Sequence, residues 1–138
     1  MRFPFVALLL GLPALALVNS VIHAVALKRF LAEVPRLTSS SDLERFKRLV
    51  AGQMYGALVQ IVLLGAPLVV FLVGIVTKVL RPGDILLVVG PSLVILVAGL
   101  LVKPIEAQAR TLDTDDPVLE GQRNAIVDTW LHRPFPDW

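Results

Sequence analysis

The chain has 138 residues, 56% hydrophobic and 17% charged, with a formal net charge of +2 and no cysteine. Soluble domains carry about 25% charged residues, so composition argues against a soluble enzyme or a nucleic-acid-binding domain. The missing cysteines exclude disulfide staples, Cys-ligated zinc, iron–sulfur clusters and thiol catalysis.

Three apolar runs, 5–27, 54–76 and 85–102, dominate the chain. The bilayer core needs about 20 apolar residues in a helix. The expected fold class is therefore an all-α membrane protein with three transmembrane helices.

The first helix is expected from about Pro4 to about Phe30, with its span at about 4–28. Arg2 and Ala14-Leu15-Ala16 resemble parts of a signal peptide. The apolar run continues to Leu27, too long for a cleaved signal, so it reads as an uncleaved span. Pro4 suits the first helical turn. Pro13 lies inside the run, where a membrane helix tolerates it. His23 is the only Asp, Glu, Lys, Arg or His in the three runs. An intramembrane ionisable residue is a functional candidate, and its imidazole could ligate a haem iron or a chlorophyll-type magnesium. The competing reading is a headgroup-level or helix-packing histidine. Asn19 and Ser20, one turn earlier, read as hydrogen-bonding groups between helices.

Pro35 and the Thr38-Ser39-Ser40-Ser41 run mark the first loop. Ser41-Asp42-Leu43-Glu44 reads as a capping box. A single helix is expected from about Asp42 to about Val79, some 57 Å long, with its span at about 53–79. Its first turns would extend into the cytoplasm as an amphipathic basic segment. There Leu43, Phe46, Leu49 and Val50 share a face, with Arg45, Lys47 and Arg48 around it. Phe46, Arg45 and Arg48 are the candidates for anchoring to headgroups or to a partner. Further along, Gln53, Gly56 and Gln60 share a face, and Gly52-x-x-x-Gly56 would permit close helix approach.

Arg81-Pro82-Gly83-Asp84 predicts a tight turn and an antiparallel hairpin with a third helix, span about 84–102. Gly90-Pro91-Ser92 should bend it, and Lys103 and Pro104 should end its membrane part. A short surface helix is expected over 105–111, where Glu106 and Arg110 are i,i+4 partners. Residues 1–111 then form the three-helix domain and 112–138 a cytoplasmic tail.

In the tail, Asp116-Pro117 predicts an N-cap and first turn, and Leu119, Ile126 and Trp130 predict an amphipathic surface helix to about Leu131. Asp113, Asp115 and Asp116 alternate like a calcium loop, but Val118 and Asn124 stand where the glycine and glutamate are needed. Asp128 and His132 read as a surface pair. Trp130, Phe135 and Trp138 are the expected tail anchors, held by the lipid surface or by another protein.

Ten cations fall on the side of the first loop and tail, and three (Arg2, Lys78 and Arg81) on the other. The positive-inside rule then puts the N-terminus outside and the C-terminus in the cytoplasm, in the inner (cytoplasmic) membrane if the source is bacterial.

The expected role is a non-catalytic accessory or structural subunit of a larger membrane complex, of the bioenergetic kind (respiratory or photosynthetic), in contact with lipid and other membrane subunits. No metal or resident cofactor is expected. The alternatives are a pigment- or haem-binding protein using His23 and a homo-oligomeric scaffold using the Gly52/Gly56 face. The two are distinguished by a visible absorption band lost in His23→Ala, and by an oligomer size that shifts in Gly56→Leu.

Overall fold

The computed structural model describes residues 1–138. It is all-helical apart from one two-residue strand pair. Helix α1 spans Arg2–Glu33, α2 Ser40–Val76, α3 Leu86–Arg110 and α4 Pro117–His132. Helices α1 and α2, and α3 with the 3-10 turn before it, are long and apolar enough to cross a membrane.

Helix α2 begins earlier than the Ser41 capping box predicts. Ser39, not Ser41, supplies the cap: its Oγ accepts from the Asp42 N–H at 3.3 Å. The returning carboxylate is that of Asp42, not Glu44. It accepts from the Thr38 N–H at 3.2 Å and the Thr38 hydroxyl at 2.9 Å. Three consecutive serines each fit the cap by residue type, so the sequence alone does not distinguish them. Pro13 and Pro67 lie inside α1 and α2, and each removes one donor from its ladder.

At the far end of α2, Lys78 takes a left-handed backbone (φ 59°). The Val79 and Leu80 N–H groups then return to the Gly74 carbonyl at 2.9 and 3.0 Å. A Cβ on Gly74 would strike the Leu80 side chain, so glycine is what lets the chain fold back there. The Pro82-Gly83 turn forms as predicted, as a 3-10 turn over Pro82–Ile85. Helix α3 continues unbroken past Lys103 and Pro104 to Arg110, so 105–111 is not a separate surface helix.

Two compact units divide the chain: 1–21 with 59–101, and 22–58 with 102–138. The tail, 112–138, shares its unit with the start of α2 and the ends of α1 and α3. In the first unit a small cluster joins Leu9, Phe71, Leu80 and Val88. Most other apolar side chains there are uncovered; Ile61 and Val62 are each 67% exposed.

The second unit has a larger core: Phe30, Val34, Leu37, Leu43, Phe46, Val50, Met54, Leu112, Leu119 and Ile126. The Phe30 and Phe46 rings pack with centroids 6.0 Å apart. Two short strands, β1 (Arg36–Leu37) and β2 (Asp113–Thr114), pair in parallel beside this core. Two residues are too short a stretch for alternation to reveal them. The Asp115 N–H extends the pair by donating to the Leu37 carbonyl at 3.2 Å. The Arg123 guanidinium donates to the Leu112 carbonyl, tying α4 to the end of α3. Asp116 caps α4 as predicted, accepting from the Val118 N–H at 2.8 Å.

Candidate functional site

The polar residues of the apolar runs are used mainly within the chain. In the first unit the Asn19 amide donates to Gln60 Oε1 at 2.9 Å. The Gln60 amide nitrogen is buried without a partner. In α3 the Ser92 hydroxyl donates to the Val88 carbonyl one turn back, at 2.7 Å. Ser20 is half-buried.

In the second unit, Gln53 donates to the backbone carbonyl of His23 at 2.9 Å. Gly56 lies directly under the His23 ring; a Cβ there would fall inside van der Waals contact of three imidazole atoms, Nε2 among them. Gly56 is thus small for the histidine, whereas a Cβ on Gly52 would meet open space. The Gly52-x-x-x-Gly56 pattern therefore has one working member. Its partner is a side chain of α1, not a closely approaching backbone.

Phe46 is a correction to the expected anchors. It is fully enclosed (0% exposed) at the centre of the second unit's core, because the amphipathic face of α2 is covered by the chain's own elements. Arg45 pairs with Glu33 and lies over the Phe30 ring, 5.9 Å from its centroid. Arg48 remains exposed.

The aromatic tail also turns to its own chain. Trp130 packs against the core, with the Arg110 guanidinium 5.0 Å from its ring centroid. The Lys47 ammonium lies 5.8 Å from the Trp138 ring centroid, and Arg133 pairs with Asp137. Both rings therefore have partners inside the chain, an arrangement that the expectation of lipid or a second protein did not include. Phe135 stays exposed. A groove of about 500 Å³ runs between the first turns of α2 and α4, bordered by Lys47, Gln122, Arg133 and Trp138.

Ten cations belong to this half of the sequence, and seven of them have a carboxylate within 4.0 Å. Arg29 and Arg45 face Glu33, Arg36 faces Asp115, and Lys47 faces Glu44. Arg110 faces Glu106, Arg123 faces Glu120, and Arg133 faces Asp137. The other three, Lys28, Arg48 and Lys103, are exposed and have no such partner. On the Lys78–Asp84 side, Arg2 pairs with Asp84 at 2.6 Å. The Thr38 N–H and hydroxyl hold the Asp42 carboxyl below its ordinary range. The Asp128–His132 pair forms at 2.9 Å on the exposed face of α4.

No group of three or more His, Cys, Asp or Glu side chains is arranged to hold a metal ion. No protein-family model, curated protein or solved structure matches the chain.

Proposed function

We infer that the chain is an integral membrane protein with three spans, acting as a non-catalytic accessory subunit of a larger membrane complex. The observation that carries this reading is the uncovered apolar surface of α1, α2 and α3. Val21, Ile22, Ile61, Val62, Val69, Leu72, Val94 and Leu101 are all exposed. Contiguous apolar patches beyond a few hundred Å² mark contact with lipid or another protein. Water is the wrong solvent for these helices, and three of them enclose little interior.

The use of the polar groups supports a structural role. Asn19 and Gln53 donate across to another helix, and such bonds contribute about 0.6–2 kcal/mol of packing each, while Ser92 donates within its own helix. The excess of cations around the first loop and tail supports an outside N-terminus and a cytoplasmic tail. Gly56 is occupied by the His23 ring, which leaves the scaffold reading with only Gly52. A bioenergetic complex, respiratory or photosynthetic, remains the proposed setting.

Native mass spectrometry of the protein, extracted gently from its own membranes, tests this. The expected result is a mass well above the 15.0 kDa of the chain, made up by other membrane subunits in fixed ratio. A bare monomer or a homo-oligomer would overturn the accessory role.

A further inference from the structure

The three cations without a carboxylate partner are not scattered. Lys28 is the first charged residue after the apolar run of α1. Arg48 is the last before the apolar run of α2, and Lys103 is the first after that of α3. One therefore stands at the border of each helix, all three within the second unit. The contacts of His23 fix the register of α1 against α2: its carbonyl meets Gln53 and its ring meets Gly56. Lys28 follows His23 by five residues and Arg48 precedes Gln53 by five. At 1.5 Å per residue both lie about 7.5 Å beyond that contact, at one height. Their neighbours are suited to an interface: Val25 and Tyr55, on the same helices, and Leu101 beside Lys103 are all exposed. Tyrosine is enriched at headgroup level, and long basic side chains lay their stems along apolar surface while the charge reaches outward.

We propose that Lys28, Arg48 and Lys103 form a binding rim for the phosphates of anionic phospholipids in the leaflet at that end of the helices. The chain places a carboxylate within 4.0 Å of each of its other seven cations on this side, and leaves unpaired the three that border the apolar runs. Charge complementarity then selects the occupant. A carboxylate beside any of the three would repel the phosphate, and none lies within ion-pair distance. Each cation near an anionic surface contributes roughly fivefold to the preference for charged lipid. The proposal rests on the membrane-spanning reading above.

The test uses the full chain in nanodiscs of mixed zwitterionic and anionic phospholipid, with the lipids retained on the ejected protein identified by native mass spectrometry. The wild type should retain anionic lipid in preference. Lys28→Gln/Arg48→Gln/Lys103→Gln should lose about fivefold of that preference per cation removed. Arg36→Gln/Lys47→Gln/Arg133→Gln, which removes the same charge from paired positions, should keep most of it. Lys28→Arg/Arg48→Lys/Lys103→Arg should keep it too, and circular dichroism should show unchanged helix in all variants. Equal retention of both lipids by the wild type would overturn the proposal. So would a rim variant that behaves like wild type, or a control that loses as much as the rim variant. A wild type that enters the nanodisc without lipid preference fails the rim alone. A wild type that does not enter fails the membrane reading.

Discussion

Phe46 and Val62 lie on the same helix, α2, and meet opposite surroundings. Phe46 is sealed among residues from α1, α2, α4 and the connecting segments of the second unit, as in a water-soluble domain. Val62, in the first unit, is 67% exposed along with most of its apolar neighbours. One helix thus carries a covered stretch and an uncovered one. In the second unit, ten apolar side chains form a buried core, and Val25, Tyr55, Val118 and Phe135 lie outside it, exposed. In the first, the apolar surface faces outward and the polar groups turn inward to each other, as Asn19 does to Gln60. The segment around Phe46 mixes charged and apolar residues, whereas 54–76 carries no charge, and the larger of the two buried clusters lies in the second unit.

The sharpest way to break this contrast is to truncate both residues. Phe46→Ala should cost about 3–5 kcal/mol, seen as early melting and faster amide exchange across α4 and β1. Val62→Ala in detergent should stay within about 0.5 kcal/mol of wild type. Equal losses would show that Val62 is covered after all.

The two glycines of α2 offer the next test. Gly56→Ala should cost about 1–3 kcal/mol, as overpacking does, because its methyl would displace the His23 ring. Gly52→Ala should be neutral or stabilising by up to about 1 kcal/mol, since alanine favours a helix interior. Thermal melts of both in one detergent decide it, and His23→Ala should relieve the Gly56→Ala defect.

Much of the fold was legible from the chain, and the gaps have physical causes. The three long helices, the Pro82-Gly83 turn and the Asp116 cap follow from apolar run length and local turn chemistry, which act over a few residues. The role of Phe46 was not legible, because an amphipathic face shows only that something covers it. Here the cover is Leu112, Leu119 and Ile126, more than sixty residues away. The working glycine of the 52/56 pair depends on how α2 is rotated toward α1, which the spacing leaves open. The short β1–β2 pair carries no periodicity. For Trp138 the missing signal was long-range as well: a tryptophan suits lipid, protein or, as found, a lysine of its own chain. That Lys28, Arg48 and Lys103 are the unpaired cations depends on the seven ion pairs, of which Arg36–Asp115 and Arg45–Glu33 join residues beyond local helix spacing and the others need a rotamer the sequence leaves open.

The smaller effects concern the polar contacts of each unit. Asn19→Leu should weaken the first unit by about 0.6–2 kcal/mol in double-mutant cycles with Gln60→Leu, and additive losses would show that the amides do not couple. In the second unit, Asp42 is held below its usual pKa of 3.8 by the Thr38 N–H and hydroxyl. A carboxyl lowered on folding adds stability that is complete above the unfolded value and is lost as pH falls through the folded one. The start of α2 should therefore loosen on acidification below about pH 3.8, and Asp42→Asn should flatten that part of the pH–stability curve.

The absence of cysteine makes the central contrast directly measurable in the otherwise native chain. Single substitutions Phe3→Cys, Val62→Cys and Asn124→Cys would be exposed to a membrane-impermeant maleimide in intact and in opened cells. The expected result is labelling of Phe3→Cys in intact cells, of Asn124→Cys only after opening, and of Val62→Cys in neither. Labelling of Val62→Cys as readily as Asn124→Cys would contradict the claim that the exposed apolar faces of the first unit lie in lipid.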